Sequence, residues 1–391
     1  MDKSLGNIAR GKAFYPRPII VEDILDTLRA NTNLQMVAPR RVGKSSIMNH
    51  LLDVQPDESF VFLLIDSEGI ENANQYFKLI YKEILTNSKL SGLIRTAFKG
   101  KKSFTKLLDK ISKIDFNIFE GGGSVEFHES LDDTHVYFDE LQQLLKTLPL
   151  NDQKIVMMVD EFPITIENIL KKEGKDTAKT FLENNRRLRQ DSELGQKILF
   201  IYTGSIGLNN TVAKVEASIT IGDLYSIEVP PLTQEEATDF ISQLLPIPAP
   251  EMDYLLARIQ WHIPYYIQTI VEELRKLLRK NPECTPETVD AAIEKAISQM
   301  SSVFKHWKER LSKTFDKNEY KLALTILNTI ADKDEMDYLT MLNMATKLKV
   351  KDLKQILNVL HHDGYLNQPA ASQPYRFNSP ILKIWWKNNA N

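Results

Sequence analysis

The 391-residue chain has a single cysteine, Cys284, which excludes an internal disulfide framework and any metal site built from cysteines alone. Long apolar runs are missing too. No window approaches the ~18–20 uninterrupted apolar residues of a membrane-spanning helix, and the longest runs, 60–65 and 155–159, have strand length. No membrane role is expected. The first six residues carry no apolar stretch after their charges, so they do not read as a secretory signal. A surplus of one charge sign is also absent: with a formal net charge of -3, attraction to a polyanion has to come from a local patch. A reduced, cytoplasmic setting is the expectation. The length exceeds the ~100–200 residues typical of one core, so two or three domains are expected.

What is present is more specific. Residues 38–46 read Ala-Pro-Arg-Arg-Val-Gly-Lys-Ser-Ser, the phosphate-binding pattern GxxxxGK[ST] with its first glycine replaced by Ala38. Such a loop follows a short strand, here 34–37, and opens a helix, here 45–52, so that backbone N–H groups converge on phosphate oxygens. Pro39, Arg40, Arg41, Val42, Gly43, Lys44, Ser45 and Ser46 form the candidate phosphate cradle. Gly43 allows close backbone approach, Lys44 supplies a cation over the β and γ positions, and the Ser45 hydroxyl is placed to ligate Mg²⁺. The replacement at Ala38 is mild provided that residue keeps a negative φ.

Residues 154–161 are a run of apolar β-formers ending in Asp160 and Glu161, as expected of a buried parallel strand. In a phosphate-loop protein the first acid holds the Mg²⁺ shell. The second polarises the water that attacks the γ-phosphate. Two further buried strands are predicted at 59–66, ending in Asp66, and at 197–205, tipped by Thr203, Gly204 and Ser205. Strands of such a sheet deliver their carboxyl ends to one ligand-binding edge, where Thr203 and Ser205 can sense the γ-phosphate. Helices at 20–30 and 73–90 and a helical stretch reaching Arg189 complete an alternation of strand and helix. Phe14 and Tyr15 precede the first helix, either to pack on a purine or as core anchors. A period-two pattern around Gly121, Gly122 and Gly123 predicts an inserted hairpin near 113–128, a contact element for a partner or another subunit, or a solvated decoration.

Beyond the sheet, Thr233 and Glu236 form a capping box that starts a helix to Leu245, and Pro246, Pro248 and Pro250 break the chain. Helices at 251–260, 264–280 and 286–313 predict a helical lid. Residues 317–391 contain three predicted helices, at 319–331, 337–348 and 350–362, and then a short strand at 375–377. That order predicts a winged helix, with Lys347, Lys349, Lys351 and Lys354 at the start of its third helix, for contact with DNA or with protein.

With its loop, acidic strand, polar-tipped strand and winged helix in this order, the chain resembles the archaeal-type ATPases, within the AAA+-like and STAND branches of the additional-strand P-loop NTPases. The match is carried by residues 14–17, 38–46, 66–69, 159–163, 203–207, 231–233 and 264–268, and it spans essentially the whole chain. The resemblance implies an α/β P-loop core over 1–230, a helical lid over 231–315 and a winged helix over 316–391. It implies Mg²⁺-dependent ATP hydrolysis used as a conformational switch. In that frame Lys44 and Ser45 bind phosphate and Mg²⁺, Asp160 and Glu161 are the magnesium and catalytic acids, and Ser205 or Thr203 is the sensor. Pro264 marks the lid turn near the base, although Trp261, His262 and Ile263 stand where relatives often carry two glycines. An arginine finger is sought among Arg186, Arg187 and Arg189, which otherwise form a solvated helix face. Two other functions fit the same order of motifs: a nucleic-acid-binding regulator acting through the winged helix, and a scaffold for signalling or defence that self-associates on binding ATP.

Overall fold

The computed structural model describes residues 1–98, 137–204, 207–368, 370 and 373–389. The expected hairpin near 113–128 and the sensor candidate Ser205 lie outside the described residues. Two compact units are present, one made of Pro16–Val37 and Lys44–Glu228, the other of Met1–Tyr15, Ala38–Gly43 and Val229–Asn391.

The first unit is a parallel sheet flanked by helices. Its strands are β1 (Leu34–Val37), β2 (Phe60–Asp66), β3 (Lys154–Asp160), β4 (Ile198–Thr203) and β5 (Tyr225–Glu228), in the spatial order β2-β3-β4-β1-β5. β4 is the additional strand, inserted between the strand that leads into the phosphate loop and the strand that carries the acids. The five central residues of β3 are all buried, as both-face coverage requires. Alternate residues Ile155, Met157 and Val159 join Val61, Leu63 and Ile65 of β2 and Ile198, Phe200 and Tyr202 of β4 in one core. Helices Ala73–Thr86, Tyr137–Thr147, Phe162–Glu173 and Lys175–Gln190 supply the other side of that core through Tyr76, Phe77, Phe138, Phe162 and Phe181.

Two features differ from expectation for local reasons. The helix predicted over 73–90 is two helices, Ala73–Thr86 and Ser88–Phe98. Asn87 leaves the helical region, and its side chain accepts from the Lys89 and Leu90 N–H groups, so it ends one helix and caps the next. β5, which the sequence analysis does not anticipate, is an edge strand in which only Ile227 is buried, so it lacks the apolar run that marks its neighbours.

In the second unit the helices are Gln234–Leu244, Ala249–Ile259, Pro264–Leu278, Pro286–Gln299, Ser301–Thr314, Lys317–Lys333, Tyr338–Lys347, Leu353–His362 and Pro380–Asn389. The first of these opens with the expected Thr233–Glu236 capping box. The predicted helix 286–313 is interrupted at the fully buried Met300. The predicted helix 350–362 begins later, because Lys349 takes a left-handed conformation and Asp352 caps the Gln355 N–H. Strands β6 (Leu366–Asn367) and β7 (Arg376–Phe377) pair antiparallel after it. The final helix, not among the predicted ones, opens on Ser379-Pro380: the Ser379 hydroxyl accepts from the Leu382 N–H and the proline occupies the first turn.

A column of aromatic rings knits this unit together, running through Tyr266, Phe304, Trp385 and Trp386, with Trp307 and Tyr365 alongside. Three of its polar tips are satisfied, as burial demands, while the buried Tyr266 hydroxyl has no hydrogen-bond partner among the described residues. The Trp385 indole donates to Ser301, the Trp386 indole to Asn328, and the Tyr365 hydroxyl to the Trp307 carbonyl at 2.8 Å. Tyr15 is an anchor here too: its ring meets Phe240 edge-on and its hydroxyl donates to Asp239. No helix among the described residues is long and apolar enough to cross a membrane.

Candidate functional site

At the carboxyl end of β1 the chain turns through the loop and enters helix Lys44–Val54. Ala38 has no positive φ, so the missing glycine costs the loop nothing. The left-handed turns fall instead on Arg41, at φ 65°, and Gly43, at φ 108°. The Gly43 value lies where side chains rarely go, and this conformation, not crowding, is what requires glycine there.

The loop side chains Pro39, Arg40 and Arg41 pack within the second unit. The Arg40 guanidinium lies 5.7 Å from the Trp307 ring centre and that of Arg41 4.8 Å from Tyr265. A β-carbon on Gly364 would come within 2.7 Å of Trp261 and 3.4 Å of Pro39, and Gly364 also has φ +84°, so this position needs glycine on both counts. Val42 is buried, and Pro264 is the first residue of helix Pro264–Leu278 in the same unit.

In the α/β unit, Lys44 is only 8% exposed. The Ser45 hydroxyl donates to Asp160 Oδ2 at 2.6 Å, joining two residues 115 positions apart. Ser46 follows in the first turn of the same helix. The Glu161 N–H donates to Asp160 Oδ1 at 3.1 Å, so both carboxylate oxygens of Asp160 are engaged. Burial pushes the Asp160 carboxyl up to about 6; Glu161 and Asp66 push the same way, while the Ser45 hydrogen bond and the Lys44 charge oppose it. Asp66 faces Asp160 in strand register.

Glu161 has φ 57° and ψ 29°, a left-handed conformation costing roughly 1–2 kcal/mol for a residue with a β-carbon. It stands as the N-cap of helix Phe162–Glu173, with Pro163 in the first turn. Strain of this kind persists where the surroundings over-determine it, which is common at functional positions. Thr203 ends β4, opposite Met36 of β1, and its buried hydroxyl has no hydrogen-bond partner among the described residues. The sequence-predicted residues Lys44, Ser45, Asp160, Glu161 and Thr203 thus share the carboxyl edge of one sheet.

Arg189 does not join them. Its side chain is 1% exposed, and it forms a two-pronged pair with Asp223 through Nε at 2.7 Å and Nη2 at 2.9 Å. It also donates to the Tyr202 hydroxyl and the Thr220 carbonyl. A guanidinium committed in this way is an internal tie, which corrects the expectation of an arginine finger at this position. Replacing Arg189 with Met should cost about 3–5 kcal/mol, because Asp223 is left without its cation; a lowered urea midpoint checks it. The neighbouring Arg187 lies over the Phe138 ring, and it borders an open groove of about 510 Å³ together with Lys179, Glu183 and Arg186.

The raised carboxyl of Asp160 has a consequence for stability. Its folded-state value exceeds the unfolded one, so the fold binds this proton more tightly and loses stability as pH rises from about 4 to about 6. In nucleotide-free protein without metal, Asp160→Asn should therefore stabilise at pH 7.5 by on the order of 1–3 kcal/mol and have little effect near pH 4. Urea unfolding at the two pH values in EDTA measures this.

Comparison with solved structures agrees with the fold. The Walker-type ATPase PABY2304 of Pyrococcus abyssi superposes with a TM-score of 0.61 over 98% of each chain, at 15% sequence identity. The chain has the fold of a P-loop ATPase. The ORC2 protein of Aeropyrum pernix, solved as ADPNP-ADP complexes, shares this P-loop ATPase fold with a TM-score of 0.53, at 10% identity over 95% of this chain and 91% of its own. No protein-family model and no curated protein sequence matches the chain. The archaeal-type resemblance seen in the motif order therefore holds at the level of the fold. Sequence reasoning missed Ser67, whose backbone N–H and hydroxyl both donate to the Asp160 carbonyl. A serine just past Asp66 was the available signal.

Proposed function

We propose that the chain binds ATP with Mg²⁺ and hydrolyses it, using the nucleotide as a conformational switch. The observation that carries this reading is the Ser45–Asp160 hydrogen bond of 2.6 Å. It places the loop hydroxyl and the strand acid where one divalent cation can take both oxygens. The donor set suits Mg²⁺, since both ligands are hard oxygens. The unpartnered Thr203 hydroxyl is a ready donor to a phosphate oxygen. When bound, the metal supplies charge neutralisation for the phosphates. Lys44 holds the phosphates by its ammonium, Ser45 and Asp160 hold the metal, and the Glu161 carboxylate orients a water and accepts its proton. Adenine is favoured by the adenine nucleotides bound to the ORC2 protein of similar fold.

Within the second unit, helices Lys317–Lys333, Tyr338–Lys347 and Leu353–His362 with the β6-β7 hairpin are read as a winged helix, the last of three parts bounded near 230 and 315. Lys347, Lys349, Lys351 and Lys354 are all exposed there, which makes duplex DNA the partner to try first. The test is phosphate release from Mg-ATP by the full chain, with and without duplex DNA. Mg²⁺-dependent release supports the ATPase reading, and acceleration by DNA assigns the lysine face a role. Absence of release in both conditions counts against hydrolysis.

A further inference from the structure

Ser67 follows β2 and is completely buried. Its hydroxyl donates to the Asp160 carbonyl at 2.7 Å and its backbone N–H donates to the same oxygen at 3.1 Å. That carbonyl belongs to the peptide joining Asp160 to Glu161, so two donors fix the orientation of the link between the two acids. The peptide orientation in turn sets Glu161 in its left-handed conformation, since φ of Glu161 is the rotation immediately after it.

Ser67 is itself held. The hydroxyl of Thr165, also completely buried, donates to the Ser67 carbonyl at 2.7 Å. Asn168, one turn further along the same helix, donates to the carbonyls of Glu68 and Ile70. The helix that starts after Glu161 therefore grips the segment 67–70, and that segment grips the Asp160 carbonyl. The loop is closed: strand end, strained acid, helix and clamp are each fixed by the next.

We propose that Ser67, backed by Thr165, is a positioning residue that sets the Asp160–Glu161 peptide and so aims the Glu161 carboxylate at the attacking water. Neither residue touches the nucleotide in this scheme, and nothing in the phosphate-loop pattern requires them. The assignment rests on the ATPase reading above. Removing a partner that orients an acting group costs about 10–100-fold in activity in comparable sites.

The experiment measures Mg-ATP hydrolysis and equilibrium ATP binding for wild type, Ser67→Ala, Thr165→Val and Thr165→Ser. Ser67→Ala is expected to lower kcat by about 10–100-fold with KM little changed. Thr165→Val is expected to lower kcat less, and Thr165→Ser, which keeps the hydroxyl, to return it to the wild-type level. A merely structural role would lower ATP binding and stability together with kcat, and no recovery with Thr165→Ser would mean that the hydroxyl is not what acts; either result overturns the assignment. An active wild type with an unaffected Ser67→Ala variant overturns it alone. A wild type that neither binds nor hydrolyses ATP overturns the ATPase reading and this assignment together.

Discussion

Glu161→Gln is expected to lower ATP hydrolysis by about 10²–10⁴-fold, the range attributed to a positioned general base, while Mg-ATP binding stays close to wild type. The amide has the shape of the carboxylate but cannot accept a proton from water. Its backbone cost is nearly unchanged, because Glu161 is strained by its φ of 57° and not by its side chain. The fold should therefore survive, and the loss should appear in kcat with little change in KM. Single-turnover phosphate release with a parallel binding titration separates the two. If Glu161→Gln keeps full activity, the base lies elsewhere, and Asp66, across from Asp160 in register, is the next carboxylate to replace.

Lys44→Ala is expected to weaken ATP binding by on the order of 10²–10³-fold, the equivalent of losing a buried charge-assisted contact of about 3–4 kcal/mol. Lys44 is 8% exposed at the first residue of helix Lys44–Val54, where its ammonium adds to the partial positive charge of the helix end. Hydrolysis should fall at least in proportion. Stability in the absence of nucleotide should not fall comparably, since alanine is a good helix former at this position. Retained binding in this variant would mean that the phosphates do not lie over the loop.

The parts of the fold that were legible in the sequence are those written in short-range patterns. β2, β3 and β4 are continuous apolar runs, and the phosphate loop and capping box are motifs of fixed spacing. Their order implied that Lys44, Ser45 and Asp160 would meet, and they lie at one sheet edge with the Ser45 hydroxyl on Asp160. What was not legible depends on register and burial. Ser67 acts through the Asp160 carbonyl, and only the pairing of β2 with β3 brings that carbonyl within reach. Arg189 looked like its neighbours Arg186 and Arg187 in a run of cations, yet helix periodicity turns it inward onto Asp223 while Arg187 is exposed. β5 escaped because an edge strand with one buried residue has no distinctive pattern. The split at Asn87 is the opposite case: an asparagine inside a helical pattern was a visible cap signal that the periodicity of the flanking residues masked.

The most direct test of the account is a calorimetric titration of the full wild-type chain with a slowly hydrolysed ATP analogue, once in Mg²⁺ and once in EDTA. The Ser45–Asp160 arrangement predicts saturable binding of one nucleotide per chain that tightens when Mg²⁺ is present. Absence of binding, or binding indifferent to Mg²⁺, would contradict the assignment of this sheet edge as a magnesium–triphosphate site.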